Sequence, residues 1–325
     1  MNSPHFRRQF AHALLFIAPL LWSANYIVAR LAPGVIEPHQ LALVRWGVAF
    51  LIMLPFAWRE LAHKRVQWLR EWRMMLLLGA LGMWVCGAFV YIGGRTTSAV
   101  NIGLLYAMAP VLIAVFSARL FDDRLRGLQV VGLLLALAGM VLIVAKGSID
   151  KLLGVQFVAG DLWIITAVLC WTAYSILLRR EPSALGPFAR LTIISAAGVI
   201  VLIPLTAIEV ALVGLPTDWL SAMTLGVVAA VLPGFGAYQA YSYMQRELGA
   251  ARTGLVLYLG PLYAAVVAWI ILGEAPAWFH AAGACLILPG MYLATRETNS
   301  GSTRPLARTD RASVASHSSH VESKL

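Results

Sequence analysis

Residues 95–110 read RTTSAVNIGLLYAMAP, and residues 246–261 read RELGAARTGLVLYLGP. Laid over one another at a shift of 151 residues, Arg95 meets Arg246, Ala99 meets Ala250, Gly103-Leu104 meets Gly254-Leu255 and Pro110 meets Pro261. The register continues without a gap. Asp123 meets Glu274, Gly132 meets Gly283, and Gly139-Met140 meets Gly290-Met291. Chance matching of leucine-rich segments would not hold one register across three such segments and their loops. Nearer the start of each half, Trp22 meets Trp171 at a shift of 149, which fits a small insertion or deletion in a loop. The chain is an internal duplication.

Each copy contains five apolar stretches. In the whole chain they fall at about 11–31, 39–58, 73–94, 99–118, 126–146, 158–179, 187–210, 222–244, 252–272 and 276–295. A stretch of roughly 20 apolar residues is long enough, as a helix, to cross about 30 Å of hydrocarbon. Composition agrees: 60% of the 325 residues are hydrophobic and 12% charged, with a mean hydropathy of +0.78. Soluble domains carry about twice that charge. Backbone groups cannot be hydrated in lipid, so each span must be helical. Five crossings reverse direction, so the two copies must be inserted upside down relative to each other. The expected fold is an all-α integral membrane protein of ten transmembrane helices in two inverted five-helix repeats. Its expected divisions are a cytoplasmic N-terminus (1–10), repeat 1 (11–146), an external linker (147–157), repeat 2 (158–296) and a disordered cytoplasmic tail (297–325), rich in Ser and Arg with little to bury.

A formal charge of +10 would suggest nucleic acid in a soluble protein, but here the cations sit at helix ends. With the N-terminus in the cytoplasm, the inner segments hold Arg7, Arg8, Arg59, Lys64, Arg65, Arg70, Arg73, Arg119, Arg124, Arg126, Arg179, Arg180, Arg190, Arg246, Arg252, Arg296, Arg304, Arg308, Arg311 and Lys324. The outer side holds Arg30, Arg95, Lys146 and Lys151, and Arg45 lies within a span. That asymmetry places both termini in the cytoplasm by the positive-inside rule. Arg7 and Arg8 ahead of the first apolar run read as a signal-anchor, since no convincing cleavage site follows. Cys86, Cys170 and Cys285 fall inside spans, have no metal-ligand spacing and are odd in number, so they read as packing residues.

Several of these stretches resemble the drug/metabolite transporter superfamily, specifically its ten-helix EamA-like family. They are Leu21-Trp22-Ser23-Ala24-Asn25 and Ala99 to Pro110 with Gly132 and Gly139 in the first copy. In the second they are Gly160-Asp161-Leu162, Cys170-Trp171-Thr172-Ala173-Tyr174, Ala250 to Pro261, Gly273-Glu274, Gly283 and Gly290. Asp122-Asp123-Arg124 departs from the family's usual Gly-Glu-Arg but keeps an acid. The resemblance covers roughly residues 12 to 295. It implies secondary transport of a small organic metabolite by alternating access, without ATP, across a bacterial-type inner membrane. Export of amino acids or related amphipathic compounds is the first expectation, and uptake of a nucleoside or vitamin the alternative.

Nothing in the residues suggests an enzyme. There is no phosphate-binding loop of the Gly-x4-Gly-Lys type, no HExxH motif, and no paired acids, His cluster or Ser/Lys pair at depth. No cofactor or metal is called for. The expected partners are a small-molecule substrate and the lipid bilayer, not nucleic acid, with monomer and homodimer both open.

Candidate substrate-binding residues are the polar and aromatic groups deep in the spans. Trp22, Asn25, Tyr26 and Ala29 share one helical face, and Trp171, Tyr174 and Ser175 answer in the second copy. Trp84, Gly87, Ala88 and Tyr91 share a face of the third span, with Phe235, Tyr238, Gln239 and Ser242 in the eighth. Tyr106 and Tyr258 precede Pro110 and Pro261 by about one turn. A cavity walled by these faces suits an amphipathic organic solute. The alternative is packing, or interfacial anchoring for Tyr91 and Tyr243 near helix ends. Pro110 and Pro261 are hinge candidates, each removing a helical bond and freeing the carbonyls of Tyr106 and Leu257. Arg45, six residues past His39 and so about 9 Å along the helix, is the one cation deep in a span. It either receives a substrate carboxylate, snorkels outward or clamps helices, and sequence leaves all three open. Asp161, Asp123 and Glu274 read as helix-end residues, Asp161 as an N-cap. The glycine pairs read as close helix packing.

Overall fold

The computed structural model describes residues 4–97, 99–121, 126–272 and 275–295, with no strand among them. Ten helices are long and apolar enough to span a bilayer: α1 (Phe6–Ala29), α2 (Pro38–His63), α3 (Trp72–Gly93), α4 (Asn101–Leu120), α5 (Gly127–Val144), α6 (Ala159–Arg180), α7 (Pro187–Val213), α8 (Trp219–Leu248), α9 (Ala250–Val267) and α10 (Trp278–Thr295). Several outrun the apolar stretch that announced them. Helix α2 continues through Arg59 and Glu60 to His63, because polar side chains end an apolar run without ending a helix. Trp219, expected in a loop, instead opens α8, and Asp218 caps that helix by accepting the Ser221 N–H at 3.1 Å.

The helix contacts obey one exchange. Swap α1 with α6, α2 with α7, α3 with α8, α4 with α9 and α5 with α10, and the principal neighbours map onto themselves. Helix α1 packs on α8 as α6 packs on α3, and α1 on α9 as α6 on α4. The pairs α2–α7, α4–α9 and α5–α10 map onto themselves. These are the contacts of two inverted five-helix repeats about a pseudo-two-fold axis.

The α5–α10 seam shows the symmetry at atomic scale. A Cβ added to Gly139 would stand 2.7 Å from the Gly283 carbonyl oxygen, and one added to its counterpart Gly290 would stand 2.7 Å from that of Gly132. Residue i meets j and j meets i, as a two-fold interface requires. Only glycine lets the backbones approach this closely.

A second reciprocal device joins α2 and α7. Each opens on a proline, Pro38 and Pro187, a favoured first helical residue. Each is capped by a glutamate from the far end of the other. Glu209 accepts the N–H groups of His39 at 3.2 Å and Gln40 at 2.9 Å, and the His39 ring nitrogen lies 2.9 Å from it. Glu60 accepts the Gly186 N–H at 2.7 Å and pairs with Lys64 at 2.7 Å. A carboxylate there satisfies orphan helix N–H groups and complements the helix dipole. Pro38, Pro55 and Glu60 precede Pro187, Pro204 and Glu209 by the same 149 residues that separate Trp22 from Trp171.

Asp161 is not the N-cap that its position suggested. It is the third residue of α6 and reaches back to the Val158 N–H at 2.9 Å, while also accepting Asn101 Nδ2 at 2.8 Å and the Thr97 hydroxyl. It ties the start of α4 to the start of α6, a structural role. Asp123 and Glu274 lie outside the described residues.

Candidate functional site

Where the repeats meet, the sequence-predicted aromatics come together. Trp22 on α1 meets Trp171 on α6 at 5.6 Å between ring centroids and Tyr238 on α8 at 6.0 Å, both edge-to-face. Trp171 stacks on Tyr174 at 5.5 Å and meets Tyr238 edge-on at 5.5 Å. Edge-to-face and offset geometries are those the ring quadrupoles favour. Two rings that the sequence reading passed over complete the cluster: Trp46, 4.8 Å from Tyr238, and Tyr241, 5.0 Å from Trp171. Both carried a readable signal. Trp46 belongs to the buried series Ala42, Trp46, Ala49 and Met53 along α2, and Tyr241 lies one turn beyond Tyr238.

Tyr106 and Tyr258 pack into the same apolar core. Gln239 is half-buried on α8, with its Oε1 lacking a hydrogen-bond partner among the described residues. The Tyr26 side chain lies outside the described residues.

The third helix of each repeat carries a wide π-turn, Ala80–Val85 in α3 and Ala230–Gly236 in α8. Such turns leave backbone groups off the helical register and recur at functional sites. In α3 the Cys86 N–H bonds to Leu81 O, the residue before its ordinary α-helical acceptor Gly82. In α8 the Ala237 N–H bonds to Leu232 O in place of Pro233. The two bypassed carbonyls, Gly82 and Pro233, are repeat counterparts at the shift of 151. Each is taken by a buried side chain from another helix. Tyr238 donates to Gly82 O at 2.9 Å, and Arg45 Nη2 donates to Pro233 O at 3.2 Å.

The α3 π-turn lies within the expected face of that helix. Its extra residue shifts the helical register across Ala80–Val85. Gly87 comes against Trp46, where an added Cβ would stand 3.3 Å from Nε1, and Tyr91 donates to Asn25 Oδ1 at 2.7 Å. Trp84 packs edge-on against Phe89 at 5.6 Å, and Phe89 against Trp163 at 4.7 Å.

The two proline positions differ in local backbone. Helix α4 runs unbroken through Pro110. Ahead of Pro261 the chain tightens into a 3₁₀ turn, Leu255–Leu259, and the Leu257 carbonyl expected to be free accepts the Gly260 N–H. Tightening to i→i+3 bonds lets the chain satisfy an acceptor that a proline would orphan.

Arg45 is 4% exposed. Besides Pro233 O, its guanidinium reaches Asn25 Oδ1 at 3.4 Å and lies 5.0 Å from the Trp46 ring and 5.9 Å from the Tyr238 ring. Asn25, Arg45 and Tyr91 thus form a polar knot on the flank of the aromatic cluster. Among the described residues, no group of three His, Cys, Asp or Glu side chains converges as a metal site.

Comparison with known proteins reports two matches to one family profile, described as the EamA-like transporter family, at residues 9–145 and 158–296. The uncharacterized transporter YyaM of Bacillus subtilis (strain 168) is 27% identical over 84% of this chain and 89% of its own. A probable terminal-alkyne amino-acid exporter of Streptantibioticus cattleyicolor is 26% identical over 87% of this chain and 93% of its own. A solved crystal structure superposes with a TM-score of 0.69 at 22% identity, covering 88% of this chain and 96% of its own.

Proposed function

The chain belongs to the EamA-like transporter family, and from that premise we propose that it exports amino acids or related amphipathic metabolites across an inner membrane by alternating access. That it is a multi-pass membrane transporter of this family follows from the two repeat-length matches and the ten spanning helices. The observation that carries the finer reading is the aromatic cluster with a polar flank, set where inverted repeats meet. Transporters of this architecture bind substrate near the midplane at the repeat interface and rock one part against the other around it. Rings hold an apolar body, and a few polar groups orient the rest. The exporter among the relatives supports the direction and the substrate class.

The test is metabolite profiling of medium and cells, with the protein overproduced and deleted. Overproduction should raise one or a few small amphipathic metabolites outside, and deletion should raise them inside. Accumulation inside the cell on overproduction would reverse the direction. No change in either sample would remove the substrate class.

The orientation belongs to the same proposal: both termini and the 59–73 segment inside, the 147–157 and 211–221 segments outside. Its support is the asymmetry of Lys and Arg. Reporter fusions at Ser148 and Thr217 should be active only on the outer side; activity inside would overturn it.

A further inference from the structure

Arg45 carries a full charge in a span, and among the described residues no carboxylate stands within ion-pair distance of it. What it holds is neutral: one carbonyl at 3.2 Å, one long amide contact at 3.4 Å and the Tyr91 hydroxyl. Its Nε has no acceptor among the described residues. A buried guanidinium offers five N–H donors and no acceptor, so neutral partners leave part of it unsatisfied and its charge unbalanced.

The neighbouring rings repeat the imbalance. Trp46 Nε1 and Trp171 Nε1 are buried and have no acceptor among the described residues either. An indole nitrogen only donates. Trp46 stands against Arg45, and Tyr238 bridges from Trp46 to Trp171. One connected cluster therefore holds three buried donor-only atoms without acceptors. Tyr91 is spent on Asn25 Oδ1, so Asn25 has an amide nitrogen left to give.

A surplus of donors around one uncompensated cation calls for a group rich in acceptors and carrying one negative charge. A carboxylate has two acceptor oxygens and about four lone-pair sites, and it matches the planar fork of an arginine. Adjoining aromatic surface takes an apolar body. We infer that Arg45, helped by Asn25 and Trp46, is the receptor for a carboxylate on the transported solute, whose substrate class is then an apolar-bodied monocarboxylate. This rests on the transporter reading above and deepens it.

A helix-clamping role for Arg45 would use the same contacts to Pro233 and Asn25 but would be blind to the ligand's charge. The experiment therefore varies the ligand first. Purified full-length protein in lipid nanodiscs is titrated with aliphatic and aromatic amino acids, their primary amides and the corresponding deaminated acids, reading thermal midpoint and tryptophan fluorescence. Acids, with or without the amino group, should shift both signals, and amides should bind roughly tenfold to a hundredfold more weakly. Arg45→Gln should abolish the distinction between acid and amide, and Arg45→Lys should keep part of it, since the charge remains but the fork is lost. Equal response to acids and amides, or no acid response in the native protein, overturns the inference even if Arg45→Gln fails to fold. The two readings fail separately. Metabolite profiling that finds only solutes without a carboxylate sinks the receptor and leaves the transporter standing. Acid-specific binding without any exported metabolite sinks the export reading and leaves the receptor.

Discussion

Asn25, Arg45 and Tyr91 of the first repeat correspond, at the two repeat shifts, to Tyr174, Ile194 and Ser242 of the second. The backbone devices around them are paired: the π-turns of α3 and α8, the glutamate clamps of α2 and α7, and the glycine seam of α5 and α10. The side chains facing the centre are not. One half offers an amide, a guanidinium and a phenol, and the other a phenol whose hydroxyl has no partner among the described residues, an aliphatic and a small alcohol. Under the proposed alternating access, symmetric mechanics need symmetric backbones, because the two repeats would exchange roles. A solute with distinct ends needs an asymmetric lining. On the proposed reading, the contrast separates what would move the site from what would read the solute.

The symmetric part should break hardest. Gly139→Leu puts a branched side chain against the Gly283 backbone, where even a Cβ would stand at 2.7 Å. Overpacking costs typically about 1–3 kcal/mol and more where only backbone could yield. The expected outcome is loss of most folded protein, followed by size-exclusion profile and thermal midpoint in detergent. Gly290→Leu should do equal harm, since the counterpart makes the counterpart contact. Unequal damage would mean that the seam is symmetric in shape but not in strength.

Next in size are the clamps. Glu209→Gln and Glu60→Gln each remove a charge that accepts helix N–H groups, and hydrogen bonds to charged groups contribute about 1.5–3 kcal/mol. Glu209 is the more buried, its side chain 14% exposed against 34% for Glu60. It also takes two backbone N–H groups of α2. It should therefore lose more stability on substitution. Comparing thermal midpoints of the two variants checks the order, and a larger loss at Glu60 would reverse it.

What was legible in the sequence follows the same division. Repetition was legible because identical glycines, prolines and tryptophans recur at fixed shifts, and ten spans were legible because hydrocarbon demands long apolar runs. The aromatic cluster was legible through helical spacing, as far as Trp22, Trp171, Tyr174 and Tyr238. The contacts of Trp84 with Phe89 were not legible, because spacing assumes 3.6 residues per turn, and a π-turn adds one where no residue type announces it. The clamp was missed because Glu60 and Glu209 lie at span ends, where acids read as ordinary solvated groups. Their 149-residue match with the two proline pairs was on the page. Arg45 was found as an anomaly, but its lack of an acidic partner among the described residues is a fact of packing that no spacing encodes.

A smaller effect is expected at the π-turns. Tyr238→Phe removes the donor to Gly82 O while keeping every ring contact. Leaving a buried carbonyl without its donor costs about 1–3 kcal/mol. If the bypassed carbonyl matters to the shape of α3, the thermal midpoint should fall in proportion, with the acid-over-amide preference intact because Arg45 still holds Pro233. A lost preference at unchanged stability would show instead that the Tyr238 hydroxyl contacts the solute.

The smallest expected change is at Tyr174, and it bears most directly on the asymmetry. Tyr174 is fully buried, stacks on Trp171 at 5.5 Å, and its hydroxyl has no partner among the described residues. Removing a buried hydroxyl that makes no hydrogen bond relieves a desolvation penalty and leaves no partner behind, so Tyr174→Phe should be neutral or slightly stabilising, within about 1 kcal/mol. At the repeat counterpart the reverse holds. Asn25→Leu strips Tyr91 of its acceptor and Arg45 of an amide contact, and it should lower both stability and acid binding. Thermal midpoints and acid titrations on the two variants, side by side, decide between two linings. If Tyr174→Phe leaves both quantities unchanged while Asn25→Leu lowers both, the polar end of the solute sits in the first repeat alone. If Tyr174→Phe keeps its stability yet binds acids several-fold more weakly, the free hydroxyl is a ligand group, and the second repeat shares in reading the polar end.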